Sequence, residues 1–137
     1  MAVVATEEKS YVMIKPDGVQ RGLVGRIIQR FEDKGMVLLG LKMILASSDT
    51  LEEHYSELKE RPFFGALMAY VSSGPVVCMC WAGKNAPSTA RTLIGATDPL
   101  SADLGTIRGD FGQASKASCN LLHKQKYALH TPNLRPI

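Results

Sequence analysis

Hydrophobic positions along the chain switch between two periods, and the switches mark its elements. Tyr11 to Ile14 is a short apolar, β-rich run stopped by Pro16 and Gly18. It predicts a buried strand ending in a turn, with Lys15 at its C-terminal end. From Gly22 to Lys34 the apolar residues Leu23, Ile27, Ile28 and Phe31 share one helical face, with Arg26, Arg30, Glu32 and Asp33 largely opposite. Gly35 stands where a helix commonly ends in a left-handed residue. Met36 to Ile44 is apolar with β-branched members and predicts a central strand. Ser47, Ser48 and Asp49 offer capping oxygens for a helix through Leu58 that ends before Pro62. His54 and Tyr55 ride on it, and for His54 a partly exposed helix face is the preferred reading.

Phe64, Leu67, Met68 and Val71 recur at helical spacing, so a second helix begins near Pro62. Val76 to Trp81 predicts another buried strand, ended at Gly83. Asn85 is placed to cap a helix with Pro87 in its first turn, running to about Ile94. Gly95 to Leu104 reads as a loop, and Gly105 to Phe111 follows neither period. A strand after Phe111 would complete βαββαβ, the ferredoxin-like α/β (α+β) arrangement. Beyond Phe111 there is one short apolar pair, Leu121 and Leu122. The strand is therefore expected around Cys119 to His123, with Lys124 to Ile137 largely irregular.

Composition adds limits. The 137 residues fit one domain with a real core. No run of about 18 apolar residues is present, so no membrane span is expected. Met1 to Lys9 lacks an apolar signal region. Cys78, Cys80 and Cys119 are too few and too badly spaced for a disulfide framework or a zinc site, so a reducing, cytoplasmic setting is expected. Charge changes the picture more. Of the 16 basic residues, Lys116, Lys124, Lys126 and Arg135 follow Phe111, where there is no acid; 12 bases against all 13 acids remain before it. The whole basic surplus sits in the last 26 residues.

Two stretches suggest chemistry. In Gly105-Thr106-Ile107-Arg108-Gly109-Asp110-Phe111, two glycines bracket an arginine whose planar fork can pair with phosphate oxygens; a solvated Arg-Gly-Asp turn is the plainer alternative. Lys15 stands where sheets tend to present ligand-contacting groups, with a solvated strand-end lysine as its rival.

The longer blocks go further. Met13 to Gly25 (MIKPDGVQRGLVG), His54-Tyr55 with Arg61 to Phe64 (RPFF), Ser73 to Val77 (SGPVV) and Gly105 to Phe111 (GTIRGDF) stand in this order. Together they make residues 8–111 resemble the nucleoside diphosphate kinase family. The resemblance implies a ping-pong transfer, in which a nucleoside triphosphate gives its γ-phosphate to a histidine and a nucleoside diphosphate collects it. It also implies that Lys15 reaches the transferred phosphate and the sugar hydroxyl, and that Tyr55 lies beside the nucleophile. By the same resemblance Phe63 stacks on the base, and Arg91, Thr97 and Arg108 hold the phosphates. Mg²⁺ would arrive on the nucleotide, with no metal ligands from the chain. A homo-oligomer, hexamer or tetramer, is also implied. Ala90, Asp98 and Leu104 depart from the family's usual glycine, asparagine and proline without removing a phosphate ligand.

The large departure begins after Phe111. Residues 1–111 form the kinase-like part of the domain, and residues 112–137 a divergent basic tail of it. Counted without gaps, the nucleophile position falls on Leu121, which cannot carry a phosphoryl group. A shift of two residues gives Asn120-Leu121-Leu122-His123, the family's Asn-x-x-His spacing, followed by Lys124 in place of Gly-Ser-Asp-Ser. Either His123 is the nucleophile and Asn120 a nucleotide-binding residue before it, or the match is coincidence in a replaced tail. An alternative exon, a retained intron or a shifted frame would account for such a tail, and comparing the transcript's 3′ end with the gene tests this. The competing functions are a working kinase, a nucleotide-binding relative without turnover, and a non-enzymatic module whose basic tail meets nucleic acid. The last rests on four positive charges and one tyrosine, Tyr127, a thin case beside the denser charge and stacking aromatics of nucleic-acid sites, and a steep salt dependence of single-stranded DNA binding would favour it.

Overall fold

The computed structural model describes residues 8–112 and 122–125. In chain order the elements are β1 (Glu8–Ile14), α1 (Pro16–Gln20), α2 (Val24–Asp33), β2 (Val37–Ile44), α3 (Ser48–His54), a 3-10 turn (Ser56–Leu58) and α4 (Phe64–Val71), followed by β3 (Val76–Gly83), α5 (Ala86–Ile94), α6 (Ile107–Phe111) and β4 (Leu122–Gln125). The sheet order is β2-β3-β1-β4 and every pairing is antiparallel. This is the expected ferredoxin-like α+β arrangement, with α3 and α4 inserted between β2 and β3.

The central strands read as unbroken apolar runs because both of their faces are covered. Val12 and Ile14 of β1 and Val77, Met79 and Trp81 of β3 join a core with Ile27 and Phe31 of α2, Ile94 of α5 and Ile107 and Phe111 of α6. The alternate residues Met13 and Val76 face a second core with Leu51, Tyr55 and Val71. Phe31 and Trp81 stack at 4.9 Å between ring centroids, tilted by 18°. Stacking at this distance adds about 1 kcal/mol beyond the area buried.

Local chemistry explains most boundaries. Gly35, at φ +85°, closes α2 just past Lys34. The Ser47 hydroxyl accepts from the Thr50 N–H and starts α3. Asn85 occupies the N-cap position of α5, but in a left-handed conformation and without a side-chain capping bond. Its expected role is thus replaced by a backbone one.

Other expectations change. The run Met36 to Ile44 forms an edge strand, not a central one: β2 is paired with β3 alone among the described strands, and Leu41 and Met43 are more than half exposed. The turn after β1 is helical, since Pro16 fits the first position of α1. The loop at Gly105 holds α6, capped by Thr106, whose hydroxyl accepts from Gly109 N–H at 3.0 Å. The last strand is present, but over Leu122–Gln125, so Lys124 and Gln125 are paired and not irregular. Cys119, Asn120 and Leu121, and residues 126–137, lie outside the described residues.

Candidate functional site

β1 and α6 bring two cations together in the interior. Lys15 follows the last residue of β1, at the N-cap position of α1, and is 2% exposed. Arg108 sits in the first turn of α6 and is 9% exposed. Burial, followed by the repulsion of the Arg108 guanidinium, holds the Lys15 ammonium down to about 8. Burial also lowers the Arg108 pKa. The ion pairs among the described residues are Arg21–Asp17, Arg30–Asp110 and Lys59–Glu52, and Lys15 is in none of them. A buried ammonium with a cation beside it makes a site that favours an anion.

Arg108 is steered by the backbone. Its Nη1 donates to the carbonyls of Gly95 and Ala96, at 3.2 and 3.3 Å, which ties α6 to the loop leaving α5. Thr97 is the next residue of that loop, exposed, and Arg91 is exposed on α5. The loop is tight. A Cβ at Gly109 would collide with the Asp103 carbonyl, and one at Gly112 would come within 2.7 Å of Pro99.

On the other face, Tyr55 ends α3 and is 2% exposed, so it is a core residue and not part of an exposed helix face. Its hydroxyl pKa is raised by burial, then by Tyr70 and Cys78. His54 meets Tyr55 edge-on at 4.7 Å and Tyr11 at 5.6 Å. Its pKa is lowered by burial and then by the Lys15 charge, which ties it to the site more closely than its helical position suggested. Phe63, at the N-cap of α4, is 52% exposed.

β4 adds the remaining expected residue. His123 stands in register with Met13, and Leu122 with Ile14, the residue before Lys15. Met13 itself packs in the core that contains Tyr55. Asn120 lies outside the described residues.

Sequence reading missed Tyr70, whose ring lies under the Lys15 ammonium at 6.0 Å. Its place in α4, among core residues at helical spacing, was the available signal. Among the described residues, no group of three His, Cys, Asp or Glu side chains could hold a metal ion. No described helix is long and apolar enough to cross a membrane.

The chain is similar to known proteins over most of its length. The family model "Nucleoside diphosphate kinase" matches residues 8–128. A nucleoside diphosphate kinase of Crocosphaera subtropica is 57% identical over 116 residues, covering 85% of this chain and 76% of that one. Nucleoside diphosphate kinase A of Rattus norvegicus is 54% identical over 119 residues, 87% and 77% of the two chains. Among solved structures, a halophilic nucleoside diphosphate kinase from Halobacterium salinarum in complex with CDP superposes with a TM-score of 0.83 at 43% identity, covering 89% of this chain and 79% of that one.

Proposed function

The chain belongs to the nucleoside diphosphate kinase family, and on that premise we propose that it passes the γ-phosphate of a nucleoside triphosphate to a nucleoside diphosphate through a phosphohistidine at His123. The observation that carries the reading is the pair of buried cations, Lys15 and Arg108, close enough that one lowers the pKa of the other. In the first half-reaction an imidazole nitrogen of His123 bonds to the γ-phosphorus. The bond to the bridging oxygen breaks, and the diphosphate leaves with that electron pair. In the second, the terminal oxygen of another nucleoside diphosphate takes the phosphoryl group back.

Lys15 and Arg108 offset the charge that spreads over the transferring group, which is most of what phosphoryl transfer asks of a protein. Thr97 and Arg91 contact the remaining phosphates, supported by the bonds that tie Arg108 to the same loop. Tyr55 borders the nucleophile, and Asn120 is a nucleotide-binding residue on the tail. Phe63, with half its surface open, stacks on any base, since every base has a π-face. Mg²⁺ is part of the nucleotide substrate, and the cationic site meets the phosphates it leaves unneutralised.

The same reading makes residues 112–137 part of one domain, supported by the pairing of β4 with β1. It makes the chain a homo-oligomer, supported by the edge strand β2, which exposes Leu39, Leu41 and Met43. An apolar edge with no partner among the described residues suits antiparallel pairing with a second copy about a two-fold axis. A cytoplasmic location is supported by the unpaired Cys78 and Cys80 thiols.

Phosphoenzyme formation tests the activity. Purified protein incubated with γ-labelled ATP and Mg²⁺, then quenched in alkali, should hold acid-labile, alkali-stable label that is absent from His123→Ala. Label that persists in His123→Ala assigns the phosphoryl group to another residue. No label in either protein leaves a nucleotide-binding relative without turnover.

A further inference from the structure

Arg30 lies on α2, far in sequence from the residues placed at the site, yet it reaches the segment that carries Arg108. Its Nη1 donates to the Gly105 carbonyl at 2.8 Å, across 75 positions of sequence. Its Nη2 pairs with Oδ2 of Asp110. The other oxygen of that carboxylate, Oδ1, accepts from the Gly105 N–H at 2.8 Å, so one guanidinium and one carboxylate close the turn from 105 to 110. The Phe111 ring then lies 5.4 Å from the Arg30 guanidinium and 4.5 Å from that of Arg26, one helical turn earlier.

Arg108 sits inside this closed turn. It reaches the opposite way, to Gly95 and Ala96. The stretch from 95 to 111 is thus fastened at two places, by Arg108 to its own beginning and by Arg30 to α2. A five-residue helix with its own Thr106 cap and two buried apolar residues would form without Arg30. Arg30 adds a second fastening, from α2, to the turn that carries Arg108.

We propose that Arg30 is a positioning residue for phosphate binding: its two-point bridge to Gly105 and Asp110 sets the pose of α6, and so aims Arg108 and the adjoining Thr97 loop. This rests on the nucleotide-binding reading above. A planar fork suits the task because it fixes direction as well as distance, which an ammonium cannot. Misplacement of a charged ligand by about 1 Å is enough to cost one to two orders of magnitude in function.

The test measures the Kd of Mg²⁺-ADP by calorimetry, well below the melting temperature, for the full chain and its variants. Arg30→Met is expected to weaken ADP about tenfold. Arg30→Lys should recover only part of this, and Asp110→Asn should weaken ADP by a smaller factor. Lys84→Met, at an exposed residue just past Gly83, which pairs with Glu8 at the other end of β1 from Lys15, should leave Kd unchanged. A purely structural role would lower the melting temperature of Arg30→Met and Asp110→Asn at wild-type Kd, and that result overturns the proposal. If Arg30→Met does not fold, Asp110→Asn decides alone. A wild-type chain that binds no ADP overturns the parent reading, and this one with it.

Discussion

β1 has two neighbours of very different make. β3 pairs with it over the whole strand, from Glu8↔Gly83 to Ile14↔Val77, and supplies apolar side chains to both cores. β4 pairs over Tyr11↔Gln125 to Ile14↔Leu122, and its sequence LHKQ holds a single apolar residue. Both ladders end on Ile14, one residue short of Lys15. The cationic half of the site therefore rests on a strand packed on both faces and on α6. On the proposed function, the histidine half rests on this short strand, with one apolar residue in its sequence. The proposed function then predicts that binding of phosphate and acceptance of the phosphoryl group are separable properties.

The largest effects should come from separating those halves. His123→Ala is expected to abolish phosphoryl transfer, by about three orders of magnitude or more, while Mg²⁺-ADP binding by calorimetry stays within about twofold. Lys15→Met should fail on both counts, with turnover down about 10²- to 10³-fold and ADP binding weakened. If His123→Ala loses ADP binding as completely as Lys15→Met, the two halves are one unit and the contrast collapses.

Next in size is the tight packing around α6. Gly109→Ala places a Cβ against the Asp103 carbonyl, where backbone must move. It should cost about 3 kcal/mol in urea unfolding and weaken ADP binding. Gly25→Ala, on exposed α2 with open space around it, should instead stabilise by a few tenths to 1 kcal/mol. Equal costs at the two positions would show that this packing is softer than its contacts imply.

How much of this could be read in the chain follows the same division. The cores were legible because Leu23, Ile27 and Phe31, and the run from Val76 to Trp81, carry clear periods. Lys15 and Arg108 were legible as candidates through the turn residues around them. Their burial was not, because nothing local says that a lysine after a strand turns inward. α1 and α6 were hidden by Pro16, Gly18 and Gly109, residues that break long helices but fit short capped ones. The edge position of β2 was missed because apolar content does not say whether a strand has a hydrogen-bonded neighbour on one side or on both. Arg30 could not be found at all, since its partners are 75 and 80 positions away.

The most local effect bears on the cationic half alone. The Lys15 pKa is about 8 in the folded chain against 10.5 ordinarily. Below about pH 8 both folded and unfolded states hold the proton, so this lysine gives stability no slope. Between about 8 and 10.5 the unfolded state binds more protons, and stability therefore rises with pH. The full rise is on the order of 3 kcal/mol. Other groups titrate there too, so the quantity to follow is the difference between wild type and Lys15→Met in urea unfolding. Wild type should be the less stable of the two at pH 7.5 and should close the gap by pH 10. Bound ADP should reverse the sign, because its phosphates favour the charged lysine. Its stabilising effect should be full below about pH 8 and fade above it. His123→Ala should follow both curves as wild type does, since the charge belongs to the β1–α6 half. If the gap between wild type and Lys15→Met is flat from pH 7.5 to 10, Lys15 is not held as a strained buried cation, and the site lacks the stored preference for an anion on which this half depends.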